Sequence, residues 1–253
     1  MSHLAGRHAL VTGAGRGIGA EIARAFSAGG AKVTLLVRDA DRATDAADAL
    51  SGPNAIVVAD VTDRAAVFSA CTRAADQLGP VDILVNNAGF AESAPFLRSP
   101  PELFQHMFDV HLLGAVHATQ AVLPSMIERR RGHIVNVAST AGLEGQAYVT
   151  AYVAAKHALV GLTRALALEV RKHGVSVNAV CPGYADTQLV HDAVANITTK
   201  TGMNEIEALR SLLASGRQER LVMPEQVSSA VIALCTAEDV PTGQAVVIDG
   251  SGP

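Results

Sequence analysis

Tyr152 and Lys156 stand four residues apart in the run Ala151-Tyr-Val-Ala-Ala-Lys156. On a helix that spacing puts both side chains on one face, about one turn apart. A phenol is a poor acid or base at neutral pH, because its reference pKa is about 10. A neighbouring ammonium favours the phenolate and lowers that value. The pair could then give a proton to a carbonyl oxygen or take one from an alcohol. Ser139, at the end of an apolar run, can hydrogen-bond the same oxygen and orient it. The plain alternative is a core tyrosine beside a snorkelling lysine. Against it, the chain has only four lysines and three tyrosines, and one of each meets here in an apolar helical stretch. A charge in such a stretch needs a reason.

The second pattern is Thr12-Gly13-Ala14-Gly15-Arg16-Gly17-Ile18-Gly19. It follows a β-branched run and opens a helical one. Glycines there allow a tight turn and let backbone N–H groups reach a pyrophosphate at the helix N-terminus. The strand–turn–helix context is what raises this above an ordinary glycine turn.

The elements that must hold these residues alternate along the chain. Strands are read at His8–Thr12, Lys32–Val37, Ala55–Ala59, Asp82–Asn86, His133–Ala138, Ser176–Val180 and Gln244–Ile248. Helices are read at Ile18–Ala28, Asp39–Leu50, Arg64–Leu78, Pro101–Arg131, Ala147–His173 and Pro224–Thr236. The strands are continuous apolar runs, as expected when both faces of a parallel sheet are covered. The fold expected is α/β, a single doubly wound Rossmann domain over residues 1–253 with about seven parallel strands and helices on both faces. Ligands then bind beyond the carboxyl ends of the strands, where the motifs fall. Only about 184–223 breaks the rhythm, and it reads as a substrate lid.

Composition narrows the function. A net charge of -4 gives no footprint for nucleic acid or an anionic membrane. No uninterrupted apolar run reaches the length of a membrane span, and no signal-peptide pattern opens the chain. Cys71, Cys181 and Cys235 lack metal or disulfide spacing and suit a reducing cytoplasm. No metal site is expected.

Taken together, Thr12, Gly13, Gly17 and Gly19, then Asn86-Asn87-Ala88-Gly89, Ser139, Tyr152 with Lys156, and Pro182-Gly183 with Thr187 resemble the short-chain dehydrogenase/reductase family. The resemblance runs from about Gly6 to Gly250. It implies hydride transfer between a nicotinamide cofactor and a carbonyl or secondary alcohol, with Ser139, Tyr152 and Lys156 catalytic. It also implies a cofactor site made from Gly13, Gly15, Arg16, Gly17, Ile18, Gly19, Arg38, Asp60, Val61, Asn87, Ala88, Gly89, Tyr152, Lys156, Pro182, Gly183 and Thr187. Asp60 would contact the adenine amino group, and Lys156 the nicotinamide ribose. The family usually has an asparagine where this chain has His111, and that asparagine holds a water in a proton relay. His111 is therefore either a modified relay member or a packing residue.

An acidic residue at the end of the second strand would select NAD. Here Val37 holds that position and Arg38 follows, with Arg16 nearby, which favours NADP(H) over NAD(H). Asp39 would put a carboxylate near the ribose if the register slipped; as the cap of the next helix it has another use. Thr140, Glu144, Gln146, Tyr148 and Tyr184 are candidate substrate contacts. The strings Ala138-Ser-Thr-Ala-Gly142 and Val180-Cys-Pro-Gly183 look most like 3-oxoacyl-thioester reductases and polyketide ketoreductases. The leading expectation is NADP(H)-dependent reduction of such a β-keto substrate. The alternatives are an NAD-dependent hydroxyacyl or small-alcohol dehydrogenase, and a dinucleotide-binding regulator without turnover. The resemblance also implies a homotetramer, or a dimer, through the helices near His106–Arg131 and Ala151–His173 and the last strand.

Overall fold

The computed structural model describes residues 4–237 and 242–250; the ends of the expected 1–253 domain and residues 238–241 lie outside the described residues. Seven strands form one parallel sheet: β1 (His8–Thr12), β2 (Lys32–Val37), β3 (Asn54–Val58), β4 (Ile83–Asn86), β5 (Gly132–Val137), β6 (Val175–Pro182) and β7 (Ala245–Ile248). Their order is β3-β2-β1-β4-β5-β6-β7, so the winding reverses between β1 and β4. Successive side chains on a strand face opposite ways. Accordingly Ala9 and Val11 enter one core layer while Leu10 enters the other, and Ile83 and Val85 part from Leu84 in the same manner.

Helices α1 (Gly17–Ala28), α2 (Thr44–Asp48), α3 (Arg64–Leu78), α4 (Pro101–Phe108), α5 (Gly114–Glu128), α6 (Thr150–Val170), α7 (Gln188–Thr201), α8 (Glu205–Ser215) and α9 (Pro224–Thr236) connect and cover the strands. Ile22, Ala23 and Phe26 of α1 meet Val227, Val231 and Leu234 of α9 on one face. Val67 and Ala70 of α3, Ala118, Val122 and Met126 of α5, and Val170 of α6 fill the other. The run 101–128 is long and apolar enough to cross a membrane, but here α5 packs its apolar side on α3 and the sheet.

Three elements differ from the sequence expectation. The helix expected over 39–50 is a short 3₁₀ turn (Asp41–Ala43) followed by one turn of α2. Pro101–Arg131 is interrupted by a five-residue π turn, Asp109–Leu113, which joins α4 to α5 and carries His111. The lid segment contains two helices, α7 and α8, whose buried residues are only Val190, Ala208 and Leu213.

At the amino ends of the central strands lies a charge cluster around the buried Asp82. Asp82 takes Arg129 at 2.5 Å and Arg131 at 2.8 Å, and its other oxygen accepts the His8 N–H. Arg129 and Arg131, at the end of α5, thus pair with a specific carboxylate. The His8 ring spans from Gly79 O to Thr34 Oγ1.

Candidate active site

At the carboxyl end of β1, Gly13 and Gly17 have φ of +66° and +56°, a region other residues enter rarely. Thr12 Oγ1 accepts the N–H groups of Asn87 and Ala88 at 2.9 and 3.0 Å, which pins the end of β4 to the loop. Asn87 returns its Nδ2 to Thr12 O at 2.9 Å. A Cβ on Gly13 would sit 2.8 Å from the Ala88 Cα, and one on Gly19 would strike Asn87 Nδ2 and Gly13 O. Helix α1 has no acidic residue in its first turn and no side-chain cap. Its N-terminal amides and positive dipole end therefore remain for an anion. This cradle fits a dinucleotide pyrophosphate. Thr187 lies across from it, 3.6 Å from where a Gly17 Cβ would be.

One turn of α6 brings Tyr152 and Lys156 to the ends of β5 and β6. Ser139 stands beside Tyr152, where its hydroxyl favours the phenolate, and its Oγ accepts Ala141 N–H at 3.1 Å. Lys156 is buried at 4% exposure and donates to Val137 O at 2.8 Å. Its Nζ lies over the Tyr152 ring, 5.5 Å from the centroid. The expected lowering of the Tyr152 pKa is not met in the chain alone. Burial, against the opposing pull of the Ser139 hydroxyl, pushes the phenol up to about 12. Burial likewise pulls the Lys156 ammonium down to about 8. Desolvation disfavours both charged forms, and the ammonium is committed to a backbone carbonyl.

His111 is held by the π turn against this pair, its ring edge-on to Tyr152 at 5.3 Å. Nε2 donates to Phe90 O at 2.7 Å, which leaves Nδ1 as a buried acceptor with no protein partner. Burial first, and Lys156 second, hold the imidazole well below its ordinary pKa, so it is neutral. Gly89 makes the space: a Cβ there would be 2.5 Å from His111 Cε1. A cavity of about 10 Å³, lined by Asn86, His111, Lys156 and Val61 among others, adjoins the unpartnered Asn86 Oδ1. That is room for about one water. Cys181, read in the sequence only for its lack of metal or disulfide spacing and as part of a string, is fully buried near Ser139 and Lys156.

Beyond β2, Val37 is buried and Arg38 exposed. Asp39 accepts Asp41 N–H at 3.1 Å and pairs with Arg42 at 3.2 Å, so its carboxylate serves the local turn. Asp60 is pushed up by burial but ends lowered, through the N–H and hydroxyl of Thr62 and the charges of Arg38 and His106.

The substrate candidates divide. Tyr184 comes within electrostatic reach of Tyr152, and its hydroxyl meets Ser215 of the lid at 3.2 Å. Thr140 sits in the turn after Ser139, and Gln146 is partly buried. Glu144 is exposed and pairs with Arg217 at 3.6 Å, bridging scaffold to lid. Tyr148 is 66% exposed with φ of +66°, and its carbonyl anchors Ala94 N–H at 2.8 Å; its ring is not gathered with the others. Pro182 and Gly183 end β6, where Gly183 still donates to Ile248 O.

A family model described as short chain dehydrogenase matches residues 7–198. Galactitol 2-dehydrogenase of Agrobacterium fabrum is 36% identical over 244 residues, 96% of this chain and 95% of that protein. D-beta-hydroxybutyrate dehydrogenase of Cupriavidus necator is 38% identical over 236 residues, 91% of each. Among solved structures, L-sorbose reductase from Gluconobacter frateurii, complexed with NADPH and L-sorbose, superposes with a TM-score of 0.91 at 28% identity, covering 99% of this chain and 98% of that one. The glycine cradle at the winding reversal and the serine–tyrosine–lysine cluster beside it are thus seen in a chain that belongs to the short-chain dehydrogenase family, the NAD(P)-dependent oxidoreductases of alcohol and carbonyl groups.

Proposed function

We propose that this chain reduces a neutral ketone with NADPH, acting as one dinucleotide-binding domain whose segment 184–223 closes over the substrate. The observation that carries the reading is Ser139 set beside Tyr152 and a buried Lys156, next to an open glycine cradle. A nicotinamide cofactor, when bound, supplies the hydride and, oxidised, a positive charge. Gly13, Gly17, Gly19 and the α1 amides would hold its pyrophosphate, with Asn87, Ala88, Gly89, Pro182, Gly183 and Thr187 along its length.

Tyr152 delivers the proton to the substrate oxygen while Ser139 orients that oxygen. A phenol held near 12 is fully protonated at neutral pH, the state needed for reduction. Lys156 holds the ribose side and shares the adjoining small cavity with His111 Nδ1 and Asn86 Oδ1. A water there would accept from Lys156 and donate to one of these acceptors, which gives His111 its part in the relay.

Preference for NADP(H) is supported by Arg38. It makes no ion pair among the described residues, whereas Asp39 is occupied by Arg42. The sorbose reductase complex holds NADPH as well. At the rim, Arg217 is neutralised by Glu144, which suits an uncharged substrate better than a hydroxy acid. Polyhydroxylated ketones meet that condition, as does the acyl part of a 3-oxoacyl thioester. A homotetramer is supported by apolar side chains left exposed on the expected faces, Leu113, Leu168 at 67% and Val247 at 51%. The three buried free thiols fit a cytoplasmic setting.

The test is cofactor oxidation, NADPH and NADH side by side, on L-sorbose, related ketoses, an acetoacetyl thioester and simple ketones. NADPH-linked turnover that Tyr152→Phe abolishes is the expected result. Turnover with NADH alone overturns the cofactor assignment. Cofactor binding with no turnover on any ketone overturns the reaction.

A further inference from the structure

Beyond Val180, its last residue paired with β5, β6 continues with β7 alone, and after Gly183 the chain leaves the sheet. Backbone groups that leave a sheet without reaching water must find other partners. At Tyr184 that partner is a side chain. Tyr184 N–H donates to Gln218 Oε1 at 2.7 Å, and Gln218 Nε2 donates to Tyr184 O at 2.9 Å. A carboxamide has the donor and acceptor of a peptide group, so these two bonds reproduce one rung of a β-ladder. The second Nε2 hydrogen goes to Arg220 O at 2.7 Å. Gln218 is only 8% exposed. Gly183 leaves room for it, since a Cβ there would run into the carboxamide. Next to this rung, Val222 N–H donates to Tyr184 O and Asp186 N–H to Val222 O, both at 2.8 Å. The two feet of the segment carrying α7 and α8 are therefore tied to each other, and Gln218 ties both to the end of β6.

We propose that Gln218 is a positioning residue, whose carboxamide fixes the Gly183–Tyr184 backbone and so sets the lid and the nicotinamide side of the site together. This rests on the reading of Pro182, Gly183 and Thr187 given above. Without the rung, residues 183–187 are free to shift, and a misplacement of about 1 Å at a reacting centre lowers turnover by about 100-fold. The phosphate cradle at Gly13–Gly19 lies on other elements and keeps its hold on the pyrophosphate, so cofactor affinity falls less than turnover.

Gln218→Leu keeps the bulk and loses every bond. Gln218→Glu keeps the acceptor for Tyr184 N–H but, ionised, turns an oxygen toward two carbonyls. Protonated, it regains one donor, and a buried carboxyl takes up its proton above the usual range. Three readouts are compared with wild type: kcat and KM, NADPH affinity by fluorescence, and the rate of proteolytic cutting within 187–217. The expected result for Gln218→Leu is kcat lower by about 10- to 100-fold, NADPH affinity lowered by a smaller factor, and faster cutting. For Gln218→Glu, activity relative to wild type should climb as pH falls from about 8 to about 5. The proposal is overturned if Gln218→Leu matches wild type in kcat and cutting. It is equally overturned if the Gln218→Glu ratio is flat with pH and activity merely follows the folded fraction. If wild type turns over no substrate, the functional reading has failed on its own. Cutting within 187–217 then still decides the clasp, equal rates in Gln218→Leu and wild type refuting it.

Discussion

Replacing His133 by Gln should flatten the loss of stability on acidification. His133 opens β5 with Nε2 facing Arg7 Nη1 at 3.1 Å and Nδ1 facing Ser176 Oγ at 2.9 Å. Arginine can only donate, so Nε2 accepts and the single proton sits on Nδ1. Protonating Nε2 would set an imidazolium against Arg7, with Arg131 close by and only Asp82 in compensation. Burial and then the Arg7 charge accordingly bring His133 down to about 4 from 6.5. A histidine lowered in the fold contributes stability that is complete above its unfolded value and is lost as pH falls from there toward the folded one. At about 1.4 kcal/mol per pH unit, full protonation costs the fold about 3 kcal/mol, and about 2 kcal/mol of it is gone by pH 5. The ring is partly exposed, which makes these upper figures. The assay is urea unfolding of wild type and His133→Gln at pH 7 and pH 5. Every other titrating group is common to both proteins, so the difference between the two pH effects isolates this ring. Wild type should lose about 2 kcal/mol more than the variant. Equal losses would refute the assignment of a neutral, buried acceptor at Nε2.

Arg38→Glu should lower kcat/KM with NADPH by about 10- to 100-fold, the worth of a charge-assisted hydrogen bond, and leave NADH nearly untouched; parallel kinetics with both cofactors check this. Gly89→Ala should destabilise by about 1–3 kcal/mol, because the methyl group meets the His111 ring, and adding His111→Ala should restore part of the loss in a double-mutant cycle. Phe26→Ala, at a ring with 0% exposure between α1 and the sheet, should cost about 3–5 kcal/mol in urea unfolding with the reaction chemistry unchanged.

The sheet was legible because its central strands bury both faces and so read as unbroken apolar runs. Where that logic failed, composition hid the geometry. The Ala-rich stretch 39–50 looks helical throughout, yet Asp39 spends its carboxylate on a turn and on Arg42, and α2 is cut to a single turn. The lid helices bury so few residues that no periodicity announces them. Tyr152 and Lys156 were legible from their spacing, whereas the direction of their pKa changes was not. Neighbour type predicts attraction, but desolvation depends on packing that only the fold reveals. Gln218 gave no signal because its partners are main-chain atoms, two of them 34 residues away. Asn86 was read only as part of a motif, and its role at the cavity depends on His111, which lies on another element.

The π turn at 109–113 has a consequence for descent. Such a turn holds one residue more than α-helical geometry requires. Deleting one residue there would let the helix relax to regular α form while α4 and α5 keep their relative orientation, because the wide turn takes up its extra residue within itself. The fold would survive, but the widened turn that sets the His111 ring edge-on to Tyr152 would be gone. A one-residue deletion within 109–113 should therefore separate descent of the fold from descent of the site: lineages that keep the chemistry keep the extra residue, and lineages that lose it can still be well folded.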